Sequence, residues 1–295
     1  MKGWIIYNGS LEESRIETLI RRLKQIADSK NLEMSLLKNN QILAWQDGQG
    51  NLRLTAPEPL PDFVIFWDKD ILLAKHLEKM GIRLFNSAIA IGICDDKVKM
   101  QCHLSEQGIA MPKTIFAPFA FYEQKLTEEY YEMVEAELNY PLVLKEASGS
   151  FGMQVYLIGN RTELKNKVEE LKHKSFLLQE FISGSKGRDI RVNIVGKRVV
   201  GAMLRENDKD FRANMALGGR AKAIRLTKEQ EALALKVHKC VGLDFSGVDL
   251  LFGESGPILC EVNSNVNFLS FERTTGIDFG EAIIDYIIGE MECKV

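Results

Sequence analysis

The chain has 295 residues, 45% of them hydrophobic and 27% charged, which is enough to bury a substantial core in one large or two to three small domains. Its net charge of −3 gives no reason to expect nucleic acid or an anionic membrane as a partner. Five cysteines without C-x-x-C spacing indicate reduced thiols in a cytoplasmic protein. We expect neither a signal peptide nor a transmembrane helix, because no apolar run is long enough.

The first 90 residues are predicted to form an open α/β domain. A short buried strand at Gly3–Tyr7 is followed by a Gly-containing turn and by apolar residues at helical spacing from about Glu12 to Lys30, with Ser10 as the cap. Gly9 is a single glycine, so no Rossmann dinucleotide loop is implied. Further strands are expected at Leu32–Leu37, Phe63–Trp67 and Leu84–Asn86, and a helix at Leu72–Met80.

A domain boundary is expected between about residues 86 and 115, where a helical region at Ala88–Gly108 gives way to an extended segment. Beyond it, periodicity predicts helices at Glu128–Leu138, Thr162–Lys172, Glu229–Val241 and Asp278–Ile288. Strands are expected at Tyr140–Lys145, Val155–Ile158, Phe176–Ile182, Ile190–Val195, Arg198–Leu204, Gly247–Phe252 and Ile258–Val262.

The last two strands form a predicted hairpin that carries carboxylates where a core strand should be apolar. If Gly253–Pro257 is the loop, Phe252 pairs with Ile258, Asp249 lies opposite Glu261, and Pro257 stays outside the ladder. Asn263 shares the face of Glu261. Oxygen ligands without Cys or His suit Mg²⁺ that shares its coordination sphere with phosphate. The alternative is that these carboxylates are simply exposed at strand ends.

A phosphate clamp is predicted where the strand ending in Lys145 meets the small-residue loop of Gly149, Ser150 and Gly152. The glycines let backbone N–H groups approach an anion, and the ammonium adds a point charge. No G-K-[ST] sequence closes the loop, so it is not a P-loop. The alternative is an ordinary surface turn after an exposed lysine.

An adenine slot is predicted along the strand that contains Gln179, Glu180, Phe181 and Ile182. Its backbone groups would face the adenine edge, apolar side chains would stack on the ring, and Glu180 would accept from the exocyclic amine. Asp189, beyond a flexible turn, is placed to bind ribose hydroxyls. The alternative is that the charged residues of this strand are solvated.

Two arginines bracket a loop that contains Gly218 and Gly219. Arg205 ends the preceding strand, and Arg212 lies within the loop, near Asn214. Guanidinium groups in this arrangement suit the oxygens of a transferring phosphoryl group or an acyl phosphate. We therefore expect Arg205, Arg212 and Asn214 to take part in catalysis, the alternative being solvated loop arginines.

The order of these motifs resembles the ATP-grasp superfamily and, within it, the RimK-type ligases that add glutamate or related amino acids to a carboxyl end. The similarity runs from about Asp95 to the C-terminus, roughly two thirds of the chain. It implies an α/β protein of the α+β ATP-grasp class. A pre-ATP-grasp domain (residues 1–90) would precede a central subdomain with a Gly-rich lid (91–182) and a subdomain with the metal hairpin (183–295), and the last two would clamp ATP.

The resemblance also implies roles for individual residues. Lys97 and Lys145 would contact ATP phosphates, as would Arg212 and Asn214. Adenosine would be held by Glu180, Phe181 and Asp189, and two Mg²⁺ (or Mn²⁺) ions would be held by Asp249, Glu261 and Asn263. In the family reaction a carboxylate attacks the γ-phosphate to give an acyl phosphate and ADP, and an amine then displaces phosphate. Such chemistry needs charge neutralisation and alignment rather than a protein nucleophile.

The chain departs from the family pattern after Asn263, where many relatives have a Ser-Pro-Gly type turn. Asn265 and Asn267 stand there instead, and we expect them to contact substrate. The partners would be a small-molecule or peptide carboxylate and an amino acid amine, in a homodimer or homotetramer. A wide groove beside Arg212 would favour a peptide or protein substrate, and a closed pocket around Asn265 and Asn267 a small acid. A third possibility is a non-catalytic ATP-binding regulatory module.

Overall fold

Three β-sheets, each built from a different part of the chain, organise the molecule. The computed structural model describes residues 1–10, 14–149 and 152–293. Within these residues no helix is both long and apolar enough to cross a membrane. The three sheets follow one another in the sequence, and we call the parts of the chain that form them the N-terminal, central and C-terminal units.

The N-terminal unit has a four-stranded parallel sheet in the order β2-β1-β5-β6. The two inner strands, β1 and β5, are mostly apolar and buried, which is typical of a parallel sheet covered on both faces. A two-stranded hairpin, β3–β4, extends from it and was not predicted. Its elements are β1 (Lys2–Tyr7), α1 (Ser14–Ser29), β2 (Glu33–Lys38), β3 (Leu43–Gln46), β4 (Leu52–Thr55), β5 (Phe63–Trp67), α2 (Ile71–Lys79) and β6 (Arg83–Phe85).

The central unit is an antiparallel sheet in the order β7-β10-β8-β9, with two helices packed against it. Its elements are β7 (Thr114–Phe116), α5 (Glu128–Glu137), β8 (Leu142–Glu146), β9 (Val155–Ile158), α6 (Arg161–Glu170) and β10 (Phe176–Glu180). Two helices precede this unit, α3 (Ala88–Asp95) and α4 (Lys97–Leu104). Helix α4 packs with the core of the C-terminal unit through Met100 and Leu104, against Val237 and its neighbours. Helix α3 contributes Ala88 and Ile91 to a core of the N-terminal unit.

The helical region predicted at Ala88–Gly108 consists of two helices that end at Leu104, because Asp96 divides it. The backbone of Asp96 is extended, and its Oδ1 accepts hydrogen bonds from the amides of Val98 (2.9 Å) and Lys99 (3.1 Å). An aspartate that caps the second helix ends the first, since a capping residue has non-helical dihedral angles. The break places Lys97 at the beginning of α4, where its amide donates to the carbonyl of Ala147 (2.8 Å).

The C-terminal unit is an antiparallel sheet in the order β13-β12-β11-β14-β15. One face packs on α7 through Ile190, Val192 and Ile194. Because side chains alternate along a strand, Asp189, Arg191 and Asn193 lie on the opposite face. The elements are β11 (Arg188–Val195), β12 (Arg198–Glu206), β13 (Arg220–Ile224), α7 (Lys228–Val241), β14 (Phe245–Gly253), β15 (Gly256–Asn263), α8 (Leu269–Thr275) and α9 (Phe279–Glu292). Neither β13 nor α8 was predicted.

The N-terminal and C-terminal units share one hydrophobic core. Trp67 stacks on Phe245 with ring centroids 5.3 Å apart, and Phe268 meets the same indole edge-on at 5.8 Å. Helix α9 packs beside α1, and Lys30 pairs with Asp285 across them at 2.7 Å. Large buried side chains each contribute about 1.5–3 kcal/mol by leaving water. The carboxyl end of β5 is therefore held firmly against the end of β15.

Candidate active site

The hairpin of β14 and β15 places Asp249 directly opposite Glu261, as the sequence predicted. The details of the turn were wrong, because Leu251, and not Phe252, pairs with Ile258. The turn is one step tighter than expected, and a bulge beyond Asp249 restores the register. Pro257 lies inside the ladder opposite Phe252, which is possible because β15 is the edge strand and Pro257 needs no partner for an N–H group.

Asp249 is buried and held by two guanidinium groups. Arg191, from the adjacent strand β11, binds both carboxylate oxygens, with Nη2 2.7 Å from Oδ2. Arg205, from β12, approaches the same Oδ2 at 3.0 Å. Burial favours the neutral acid, but the charges of Arg191 and Arg205 outweigh it and lower the pKa of Asp249. Arg191 and Arg205 therefore neutralise the charge of the buried Asp249.

Arg205 also binds Asp189, with Nε 2.6 Å from Oδ1 and Nη2 2.7 Å from Oδ2. Burial opposes the charge of Arg205, but the two carboxylates outweigh it and hold the guanidinium pKa well above its usual value. Burial raises the pKa of Asp189, and Arg205 opposes this rise. Both oxygens of Asp189 are therefore engaged, and this ion pair does not favour its predicted contact with ribose.

Glu261 and Asn263 project from one face of β15, and the Asn263 amide donates to Glu261 Oε1 at 3.2 Å. The predicted clamp lysines lie beside them. Lys145, almost fully buried on β8, has its Nζ 3.9 Å from Cys260 Sγ. Burial lowers the pKa of Lys97, and the charge of Glu261 opposes that shift while Lys145 adds to it. The structure therefore brings both lysines to the metal hairpin.

The Gly-rich loop of the central unit contacts the loop that carries Arg212 and Asn214. Arg212 Nη1 donates to the carbonyl oxygens of Gly152 (2.5 Å) and Val155 (3.2 Å), and its other nitrogens bind Asp210. Gly152 has φ +74°, and a Cβ there would come within 2.8 Å of Asn214 Oδ1. The two predicted phosphate-binding loops thus meet. Ser150 lies outside the described residues, and Gly149, the last described residue before it, has the side chain of Gln154 close by.

The predicted adenine strand is interior to its sheet. Strand β10 is paired on both sides, so Gln179 and Glu180 face β7 and β8, and Gln179 Nε2 donates to Thr114 Oγ1 at 2.9 Å. Glu180 exchanges two hydrogen bonds with the backbone of Lys113, through its own amide and its Oε1. Phe181 and Ile182 lie beyond the strand and outside its ladder, and the carbonyl of Ile182 accepts from the amide of Ser185 (2.9 Å). We therefore expect any contact with an adenine edge at Phe181 and Ile182. The ring centroid of Phe211 lies 6.4 Å from that of Phe181.

The two substrate candidates differ in setting. Asn267 is exposed. Asn265 turns toward the N-terminal unit, and its Nδ2 donates to the carbonyl oxygen of Asp68 at 3.0 Å. Asp68 and Lys69 come directly after β5, and Lys69 forms an ion pair with Asp95. The structure thus brings Asn265, but not Asn267, to a buried junction between the first and last units.

Three residues near this site had no role predicted from the sequence: Arg191, Asp68 and Lys69. Each had a usable signal. Arg191 interrupts an apolar strand two residues after Asp189, which places both on one face. Asp68 and Lys69 follow a fully apolar strand, and ligands of open parallel sheets bind beyond the carboxyl ends of the strands.

The assembled site is rich in cations. Four cationic side chains and three carboxylates meet there, which leaves an excess of one positive charge: Arg191, Arg205, Lys97, Lys145 against Asp189, Asp249, Glu261. Such a surplus attracts a polyanion. Within the described part of the chain, no three His, Cys, Asp or Glu residues form a metal cluster. The carboxylate of Glu261 and the amide oxygen of Asn263 fit a Mg²⁺ ion that takes its other ligands from phosphate and water.

Known structures share this fold. A RimK domain ATP-grasp protein from Sphaerobacter thermophilus superposes with a TM-score of 0.72 at 18% identity, covering 98% of this chain and all of that one. The fold is therefore an ATP-grasp fold, and the predicted fold class is confirmed.

The sequence comparisons identify the family. A model of the RimK-like ATP-grasp domain matches residues 94–287. β-Citrylglutamate synthase B of Danio rerio is 33% identical over 293 residues, which cover 94% of this chain and 71% of that protein. A probable α-L-glutamate ligase of Legionella pneumophila (strain Corby) is 36% identical over 283 residues, 90% of each chain. The chain belongs to the RimK-like ATP-grasp family, and the expectation of an ATP-grasp ligase is confirmed.

Proposed function

We propose that this protein joins the amino group of glutamate, or of a closely related amino acid, to the carboxylate of a small acid, with ATP converted to ADP through an acyl phosphate. The names of two relatives, a citrylglutamate synthase and a probable glutamate ligase, support glutamate as the amine. The observation that carries the proposal is the cation-rich cluster beside the Asp249–Glu261 pair, which suits a triphosphate and a developing acyl phosphate.

Each group at the site has a proposed task. Lys97 and Lys145 neutralise phosphate oxygens, and Arg212 with Asn214 closes the Gly-rich loop over them. Mg²⁺, when bound, would supply electrostatic neutralisation of the phosphates, and Glu261 and Asn263 would hold it. Arg205 faces Asp249 and so acts on the reaction by fixing that carboxylate. A role of Asp249 as a metal ligand requires it to share its oxygens with the arginines.

A small acid is favoured over a peptide. Arg212 is half-buried and tied to the carbonyls of the Gly-rich loop, which narrows the space beside it. A peptide or protein carboxyl end stays the second candidate substrate, supported by the exposed position of Asn267.

The test is product analysis by mass spectrometry after incubation with ATP, Mg²⁺, L-glutamate and a panel of acids that includes citrate, N-acyl amino acids and short peptides. We expect an amide and ADP in equal amounts. If no acid in the panel gave an amide together with ADP, the proposal would be contradicted.

A matched pair of variants tests the metal assignment. Glu261→Gln removes a charge at the site, and Glu254→Gln removes one from the exposed turn of the same hairpin. We expect the first to lose roughly 100-fold in turnover, with a raised Mg²⁺ requirement, and the second to match the parent protein. If Glu261→Gln kept full turnover, the metal assignment would be wrong.

A further inference from the structure

Asp68 is a buried carboxylate with one oxygen left over. It follows β5 and is 3% exposed. Its Oδ1 accepts from Asn8 Nδ2 (3.0 Å) and from the amide of Lys69 (2.6 Å). Its Oδ2 is buried and has no hydrogen-bond partner within the described ranges. A buried carboxylate oxygen without a hydrogen-bond donor costs free energy, so we expect a bound group to donate to it.

Asn265 provides a second acceptor of the same kind. Its side-chain nitrogen faces the carbonyl oxygen of Asp68 at 3.0 Å. Since a carbonyl only accepts, this contact fixes which way round the amide lies. Oδ1 of Asn265 therefore points elsewhere, and it too is buried without a partner among the residues that the structure describes. The junction thus holds two orphaned acceptors, one of them on a charged group.

The chemistry of this pair selects a cationic donor. An ammonium group has three N–H donors and a positive charge, so a single such group can donate to a carboxylate oxygen and an amide oxygen and can neutralise Asp68. A carboxylate or phosphate would be repelled there. Burial raises the pKa of Asp68, as expected for a carboxylate whose counter-charge is missing.

The junction is also in the right place. It lies at the carboxyl end of a parallel sheet, where open α/β domains bind ligands. Asn265 is two residues beyond Asn263, which is at most about 7 Å of extended chain. An amine held by Asn265 and Asp68 is therefore a neighbour of the carboxylate–phosphate chemistry at the hairpin. Lys69 is exposed, so the loop that carries Asp68 borders solvent.

We propose that Asp68 Oδ2 and Asn265 Oδ1 bind the ammonium group of the amine substrate beside the acyl phosphate. The ammonium gives one proton to Asp68 Oδ2, and the freed nitrogen lone pair attacks the acyl carbon as the bond from that carbon to the phosphate oxygen breaks and phosphate leaves. This inference rests on the proposed ligase function. It assigns to the N-terminal unit, which no motif explained, the recognition of the second substrate. It also predicts selection for substrates with a charged amino group.

The experiment separates acyl phosphate formation from amine binding in Asp68→Asn. Hydroxylamine, a small neutral nucleophile, traps the acyl phosphate as a hydroxamate without using an ammonium site. We expect hydroxamate formation and the KM for ATP to stay within about twofold of the parent protein. The KM for L-glutamate in amide formation should rise roughly 10- to 100-fold, the usual cost of losing a charged hydrogen bond.

Two further variants complete the test. Asp70→Asn removes the same charge two residues away and keeps a good N-cap for α2, so its KM for L-glutamate should not change. Asn265→Ala should raise that KM by about tenfold, again without loss of hydroxamate. An unchanged KM in Asp68→Asn, or an equal fall in hydroxamate and amide, would overturn the inference. Absence of hydroxamate in the parent protein would instead overturn the proposed function.

Discussion

Asp249 and Asp68 are both buried aspartates at the same end of the molecule. Their carboxylates differ in their partners and in the direction in which their pKa is shifted. Asp249 is 2% exposed and both of its oxygens meet guanidinium groups, from Arg191 and Arg205. Asp68 is 3% exposed, and within the described residues its Oδ1 accepts hydrogen bonds while its buried Oδ2 has no donor. The arginines lower the pKa of Asp249 against the effect of burial, whereas burial raises the pKa of Asp68.

The difference distinguishes Asp249, whose charge is neutralised within the protein, from Asp68, whose partner we propose to be a substrate. A buried carboxylate that the protein neutralises fixes its neighbours, here two strands and their arginines. A buried carboxylate that the protein leaves incomplete stores unfavourable free energy that a cationic ligand can release. Four changes test whether this distinction is real, beginning with the largest expected effect.

Arg205→Met should destabilise the fold by about 3–5 kcal/mol, because it leaves Asp189 buried without its cation and removes one partner of Asp249. Urea denaturation measures the change. Arg220→Met is the matched control, since Arg220 is exposed and pairs with the exposed Asp208; it should cost no more than about 0.5 kcal/mol. A loss below 1 kcal/mol in Arg205→Met would mean that Asp249 and Asp189 do not depend on this arginine.

His238 shows a third solution, a buried group that gives up its charge. It lies on the opposite face of the same sheet, its Nδ1 is 2.8 Å from Ser246 Oγ, and burial lowers its pKa to about 4. The unfolded state binds the proton of His238 more tightly than the folded state does. The contribution of His238 to the stability of the fold is therefore fully present above about pH 6.5 and is lost as the pH drops toward 4. We expect a loss of roughly 3 kcal/mol over that window.

His238→Gln should remove this part of the pH dependence, and unfolding curves at pH 7, 5.5 and 4.5 measure it. The parent protein should lose stability steeply between these values, and the variant much less. Equal slopes for the two proteins would show that His238 titrates normally.

Arg191→Lys asks whether charge alone satisfies Asp249. A lysine keeps the charge but reaches only one oxygen at a time, so we expect a loss of about 1–2 kcal/mol. Arg198→Lys, at an exposed position at the start of β12, serves as the control in the same denaturation assay. Identical stability of Arg191→Lys and the parent would show that the two-oxygen contact is unimportant.

Asp68→Asn has the smallest expected effect and the opposite sign. Removal of an incompletely bonded charge should stabilise the protein by roughly 1 kcal/mol at pH 7. Burial raises the pKa of Asp68 in the folded protein. The contribution of this carboxyl group to the stability of the fold is therefore fully present below about pH 4, the pKa in the unfolded chain, and is lost as the pH rises through the pKa in the folded protein. The advantage of the variant should therefore grow with pH. A less stable variant would show that Asp68 is satisfied within the protein.

Much of the fold follows from local pattern. Strands at Phe63–Trp67 and Val155–Ile158 occur as predicted, because short apolar runs between turn residues have few alternatives. The opposition of Asp249 and Glu261 was also predictable, although the turn residues were assigned wrongly and a bulge corrected the register. The break at Asp96 was missed because apolar periodicity hid a capping residue.

The sequence was enough to predict most of the elements in chain order, the hairpin with its opposed carboxylates, and the resemblance to the RimK-type ATP-grasp ligases. Only the tertiary structure decided how each charge is neutralised. Asp68 meets Asn265 across 197 residues, and Asp249 meets Arg191 across 58. Periodicity reports which face of an element is apolar, but burial of a charge and its partner depends on elements that come from distant parts of the chain.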